Sequence, residues 1–120
     1  MPSLRFLRHY WVVVLAFVVF LAGAVFRISA AYPQLSVSSP SPESTVYGSS
    51  VTAKFALSDF KIVDFVSYSK PVTGQGHIHL WLDTQNLTKE SALKVVSDGY
   101  TFQNLKTGSH ILTAELVANN

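Results

Sequence analysis

The chain has 120 residues, no cysteine, and nine basic against seven acidic side chains, a net charge of +2. Without cysteine, disulfides and thiolate metal sites are excluded, and the fold must rest on its apolar core. Arg5, Arg8 and Arg27 are all the arginine there is, so residues 32–120 carry six lysines against seven carboxylates, which argues against a nucleic-acid partner.

Trp11 to Phe26 is a run of sixteen residues without a charge, preceded by Arg5, Arg8 and His9 and followed by Arg27. A basic start, an apolar centre and the small residues Ser29-Ala30-Ala31 fit a signal peptide cut after Ala31, with Ala22-Gly23-Ala24 as a second site. The run is short of the ~20 residues a spanning helix needs, but Tyr10 extends it and Arg27 can snorkel, so an uncleaved anchor is the alternative. The expected division is a leader over residues 1–31 and one domain over 32–120. Two arginines before the run against one after it keep the N-terminus inside and place the domain outside the cytoplasm, periplasmic or at the cell surface, secreted or membrane-anchored.

Tyr32 to Ser50 is rich in proline and serine, yet Leu35 and Val37 alternate with Ser36 and Ser38, which predicts a short strand stopped at Pro40-Ser41-Pro42. A second strand is expected to begin near Val46 or Val51, where Val51, Ala53, Phe55 and Leu57 alternate with Thr52, Lys54, Ala56 and Ser58. Asp59-Phe60-Lys61 reads as a turn, Ile62 to Tyr68 as a further β-rich segment, and Ser69 to Gly76 as a loop. Gly76 is expected to let the backbone bulge before His77.

Gly74 to Asp83, GQGHIHLWLD, combines glycine punctuation, strict alternation and two histidines one residue apart. On a strand Ile78, Leu80 and Leu82 share one face, expected in the core, and His77, His79, Trp81 and Asp83 share the other. Thr84 to Asp98 reads as a surface excursion, and Asn86-Leu87-Thr88 is a glycosylation sequon if the host glycosylates exported proteins. Tyr100 and Phe102 are expected in the core or at a corner, and His110 to Ala118 as a last strand. Short strands spaced by turns, with no helical periodicity after the leader, predict an all-β antiparallel sandwich behind one N-terminal hydrophobic helix.

The segment YTFQNLKTGSHILTA (100–114), together with GQGHIHLWLD and SPSPESTVYGSSVTAKF, resembles uncharacterised bacterial and archaeal exported immunoglobulin-like domains with a G-H-x-H strand and a G-x-H turn. The resemblance covers most of residues 34–120 and implies an Ig-like sandwich. More loosely the chain is similar to periplasmic copper-resistance carriers of the CopC type, although the copper-binding histidine near their mature N-terminus has no counterpart at Ala31-Tyr32-Pro33. Members of the G-H-x-H group usually continue past the strand that here reads ELVANN, so either the sequence is a fragment or the sandwich lacks its last edge strand, leaving an open edge for a protein partner to cover by strand addition.

Two imidazoles on one strand face sit about 7 Å apart at Cα for a rise of ~3.3 Å per residue, close enough to converge on one ion. The expected metal ligands are His77 and His79 with His110 as the third, and copper is the preferred divalent ion among those suited to neutral imidazole. The competing assignment is packing, with each imidazole hydrogen-bonded to a neighbouring carbonyl and His110 anchoring the Gly108-Ser109 turn. Asp83, ~13 Å along the strand from His79, is expected to orient the following turn rather than bind metal. Trp81 is either a stacking platform for a ligand or an ordinary sheet aromatic. No carboxylate pair, nucleophile–base pair or phosphate loop is spaced for catalysis, so a non-enzyme is expected. The function expected is an exported metal-binding module. The alternative is a structural or interaction module, an accessory subunit of a membrane or cell-surface assembly, tethered by its uncleaved helix.

Overall fold

The computed structural model describes residues 30–120. The leader expected over residues 1–31 lies outside this range up to residue 29. Every regular element described is a strand: β1 Gln34–Ser39, β2 Val51–Ser58, β3 Lys61–Ile62, β4 Gln75–Leu82, β5 Leu93–Val95, β6 Gly99–Phe102 and β7 Leu112–Ala118. Among the described residues no helix is long and apolar enough to cross a membrane.

Alternation builds both sheets. β2 is the centre of a three-stranded sheet, antiparallel to β1 on one edge and to β6 on the other. Its Ala53 and Phe55 turn inward while Thr52 and Lys54 stay exposed, the period of two that its sequence carries. In the second sheet β7 runs antiparallel along one edge of β4 from Gly76 to Leu82. The other edge is shared end to end: β3 pairs in parallel with Gln75 and Gly76, and β5 pairs antiparallel with Ile78 to Leu80. β4 is therefore the central strand. The two sheets enclose one core of Ala53, Phe55, Ile78, Leu80, Val95 and Phe102, with Leu35, Val37, Leu112, Ala114 and Leu116 packed around it. Ile78 and Leu80 are wholly buried, each worth about 1.5–3 kcal/mol of transfer free energy. The architecture is all-β, in two layers.

Three local expectations are corrected. Ile62 to Tyr68 is not a β segment beyond Ile62, because the Asp64 carboxylate accepts hydrogen bonds from the backbone N–H of Val66 (2.9 Å) and Ser67 (3.3 Å) and from the Ser67 hydroxyl (2.7 Å), closing a turn. These bonds hold its pKa below the usual carboxylate value, the Val66 amide contributing most. Residues 84–92 form the expected surface excursion, but Leu93–Val95 return to the sheet as β5. Gly76 makes no bulge: its pairing with Ala118 is in register. It is needed because a Cβ there would lie 1.9 Å from the Val117 carbonyl oxygen, so glycine alone lets β4 and β7 approach this closely.

Candidate functional site: a buried histidine pair on the central strand

On the β4 face away from the core, alternation predicts side chains in solvent. They are covered instead. His77 is 4%, His79 3% and Trp81 4% exposed, while Asp83 lies outside at the strand's end. The turn after β3 lays Phe65 against His77, ring centroids 5.0 Å apart. The row continues with His77 to His79 at 4.9 Å and His79 to Trp81 edge-on at 5.7 Å. At its far end the indole N–H of Trp81 donates to the Thr88 carbonyl (3.2 Å) and the Ser91 hydroxyl (3.0 Å), so the 84–92 loop closes over it. Trp81 is thus a sheet aromatic with no free face for a ligand.

The protonation of His77 follows from its partner. Asn119, 2% exposed just beyond β7, donates through Nδ2 to the Tyr68 carbonyl at 2.7 Å, which aims its Oδ1 at His77 Nδ1, 2.6 Å away. A carbonyl oxygen only accepts, so Nδ1 must carry the proton and the neutral ring presents Nε2 as a bare lone pair. An imidazole held through one nitrogen by an amide oxygen, with its other nitrogen free, has the orientation that metal-binding histidines adopt. A cavity of about 270 Å³, lined by Val63, Tyr68, Val72 and Gln75, reaches this Asn119.

His79 sits between two opposite charges. Across one edge its register partner is Lys94 on β5, and across the other Glu115 on β7, both on its own face of the sheet. Its pKa is held below the ordinary imidazole value, first by burial, then by the positive charge of a protonated His77 and of Lys94, with Glu115 opposing. The Lys94 ammonium lies 5.1 Å over the Phe65 ring, a cation–π contact at the edge of the same row. The Nε2 atoms of His77 and His79 are both buried without a hydrogen-bond partner. The packing assignment called for a carbonyl at one ring nitrogen: His77 has one at Nδ1, the Asn119 side-chain oxygen, whereas neither Nε2 has a partner.

His110 is not part of this pair. It precedes β7, beyond the last paired residues Leu82 and Leu112, about 16 Å along the sheet from His79 at ~3.3 Å per residue. There it serves the turn. Its Nδ1 lies 2.6 Å from Asp83 Oδ2 and its Nε2 2.7 Å from the Lys106 carbonyl oxygen. Asp83 takes a positive φ of 57° after β4, a conformation Asp tolerates, and its other oxygen accepts the Ile111 N–H at 2.8 Å. Both His110 nitrogens face acceptors, so the doubly protonated ring fits best; its pKa is raised, chiefly by the Asp83 carboxylate and then by the Lys106 carbonyl. The Asp83 pKa is lowered in turn, by His110 first and by the Ile111 amide second. His110 as third ligand is thereby corrected, whereas Asp83 orients the turn as expected. Among the described residues no three His, Asp or Glu side chains converge as they stand.

Asn119, Phe65, Lys94 and Glu115 carry no sequence signal tying them to His77 and His79. Each reaches the pair through strand register or a covering turn. No family model, no curated protein and no solved structure matches the chain.

Proposed function

We propose that the chain is an exported, non-enzymatic, Ig-like module that binds a divalent transition metal, copper by preference, through His77 and His79. One observation carries the reading: two neighbouring imidazoles on the central strand bury their Nε2 atoms with no partner, although a buried nitrogen left unpaired costs about 1–3 kcal/mol. A bound ion supplies the missing partner to both. Asn119 accepts from Nδ1 of His77 and so leaves Nε2 as the nitrogen that can ligate, and the lowered pKa of His79, set first by burial, favours its neutral form. The charge and hydropathy of residues 1–31 support export.

Isothermal titration of the full-length chain in detergent with Cu(II) and with Zn(II) tests this. The expected result is 1:1 binding that is lost when both histidines become alanine. Unaltered affinity in that double variant assigns any bound metal elsewhere. A second reading, an interaction module in which the row Phe65, His77, His79 and Trp81 is only packing, is favoured by the burial of both faces of β4. It predicts no metal uptake at either histidine and co-purification of the intact chain, beginning at Met1, with a partner.

A further inference from the structure

The separation of the two rings says what kind of ion they suit. A metal–nitrogen bond of ~2.05 Å and ~1.15 Å from nitrogen to ring centre place each centroid ~3.2 Å from a shared ion. A linear two-coordinate ion would then hold the centroids ~6.4 Å apart, whereas the observed 4.9 Å corresponds to an angle of about 100° at the ion. That bent angle rules out a linear two-coordinate ion, so two imidazoles are only part of a coordination shell. The remaining ligands must come from the same face of the sheet.

Glu115 is placed for it. It lies directly opposite His79 in the β4–β7 ladder, where facing Cβ atoms are ~4.5–5.5 Å apart. Its flanking neighbours on that face, Thr113 and Val117, oppose Trp81 and His77, and the residue opposite His79 on the other edge is Lys94, a cation. Glu115 is exposed and makes no hydrogen bond or ion pair with the described residues, so turning its side chain breaks neither. Asp64, the carboxylate in the covering turn, is committed to Val66 and Ser67.

We infer that Glu115 swings onto the ion held by His77 and His79, forming a two-histidine, one-carboxylate site for a borderline divalent ion, with a fourth position open to water or a small exogenous ligand. The inference rests on the metal reading above. It adds a ligand, a coordination number and a preference for divalent over two-coordinate monovalent ions.

Cobalt(II) is the probe, because its d–d absorption reports coordination number independently of affinity. The full-length chain in detergent is titrated with Co(II) as wild type, as Glu115→Gln and as the His77→Ala, His79→Ala double variant. The wild type is expected to give the strong visible bands of four-coordinate cobalt. Glu115→Gln is expected to lose tenfold or more in affinity and to shift to the weaker bands of a higher-coordinate, water-rich ion, with the double variant giving no bands. Binding by Glu115→Gln with unchanged affinity and spectrum overturns the role of Glu115 and leaves the histidine site standing. Weaker binding with an unchanged spectrum also overturns it, since Glu115 then acts as a nearby charge and not as a ligand. No binding by the wild type overturns both readings. Because Glu115 is exposed, circular dichroism of Glu115→Gln is expected to match wild type, and Glu115→Ala serves as its duplicate.

Discussion

Just past one end of the β4–β7 ladder His110 has an oxygen acceptor on each ring nitrogen and stands at the surface, while within the same ladder His77 and His79 are buried with an unpartnered Nε2 on each ring. Residue type is constant; the partners differ. A histidine whose nitrogens are both satisfied has its free energy invested in the turn it holds and has no lone pair left to offer. A buried pair with an unpartnered nitrogen on each ring carries a desolvation cost that the surface histidine does not. Proximity to a histidine motif in sequence is therefore a weaker guide to a ligand than the hydrogen-bond balance of each ring.

The contrast breaks most severely at Gly76. Gly76→Ala drives a Cβ into the Val117 carbonyl, with backbone on both sides of the clash, and is expected to cost about 3 kcal/mol or more in chemical denaturation. Because β4 cannot then lie against β7, the buried histidine end should open while the Asp83–His110 turn stays comparatively protected in hydrogen exchange. Equal loss of protection at both ends would show that the ladder melts as one unit.

The two buried histidines should separate from each other. His77→Phe fills the space but leaves the Asn119 Oδ1 without its donor, for an expected loss of about 1–3 kcal/mol in the metal-free protein. His79→Phe removes an unpartnered nitrogen and strands nothing, so metal-free stability should hold or rise by at most about 1 kcal/mol while metal affinity falls. Matched urea titrations of the two variants with a chelator present check this, and equal destabilisation would mean that the unpartnered Nε2 of His79 is not the liability described here.

The smallest effect belongs to the surface pair and is read against pH. His110 has its folded pKa raised, so its contribution is complete below the unfolded imidazole value of ~6.5 and fades as pH rises through the folded value. Asp83 has its pKa lowered, so its contribution is complete above the unfolded carboxylate value of ~3.9 and fades as pH falls through the folded one. The turn should be tightest between roughly pH 4 and 6.5. Thermal midpoints of the wild type minus those of His110→Ala, followed across pH, should show a shallow maximum in that window. A difference that is flat with pH would mean the ion pair contributes nothing measurable, as many exposed pairs do.

How far the chain could be read in advance varies from strand to strand. Alternation located β1, β2 and the core face of β4 because a period of two is a local property of the residues themselves. It misjudged Ile62 to Tyr68, where a single carboxylate outweighed β-propensity by taking up three donors, and it missed β5, which three residues with little pattern form because the edge of β4 was free to pair. Trp81 was ambiguous until the 84–92 loop supplied acceptors for its indole.

What the sequence determined by itself is the all-β character, the inward set of Ile78 and Leu80, and the sharing of one strand face by His77 and His79. What only the tertiary structure decided is that this second face is also buried, that Asn119 orients one imidazole, that Glu115 and Lys94 flank the other, and that His110 belongs to a different turn. The reason is physical. Which way a side chain points depends on its own backbone, whereas what it meets there depends on register between strands distant in sequence, and two imidazoles become a site only through the groups packed around them.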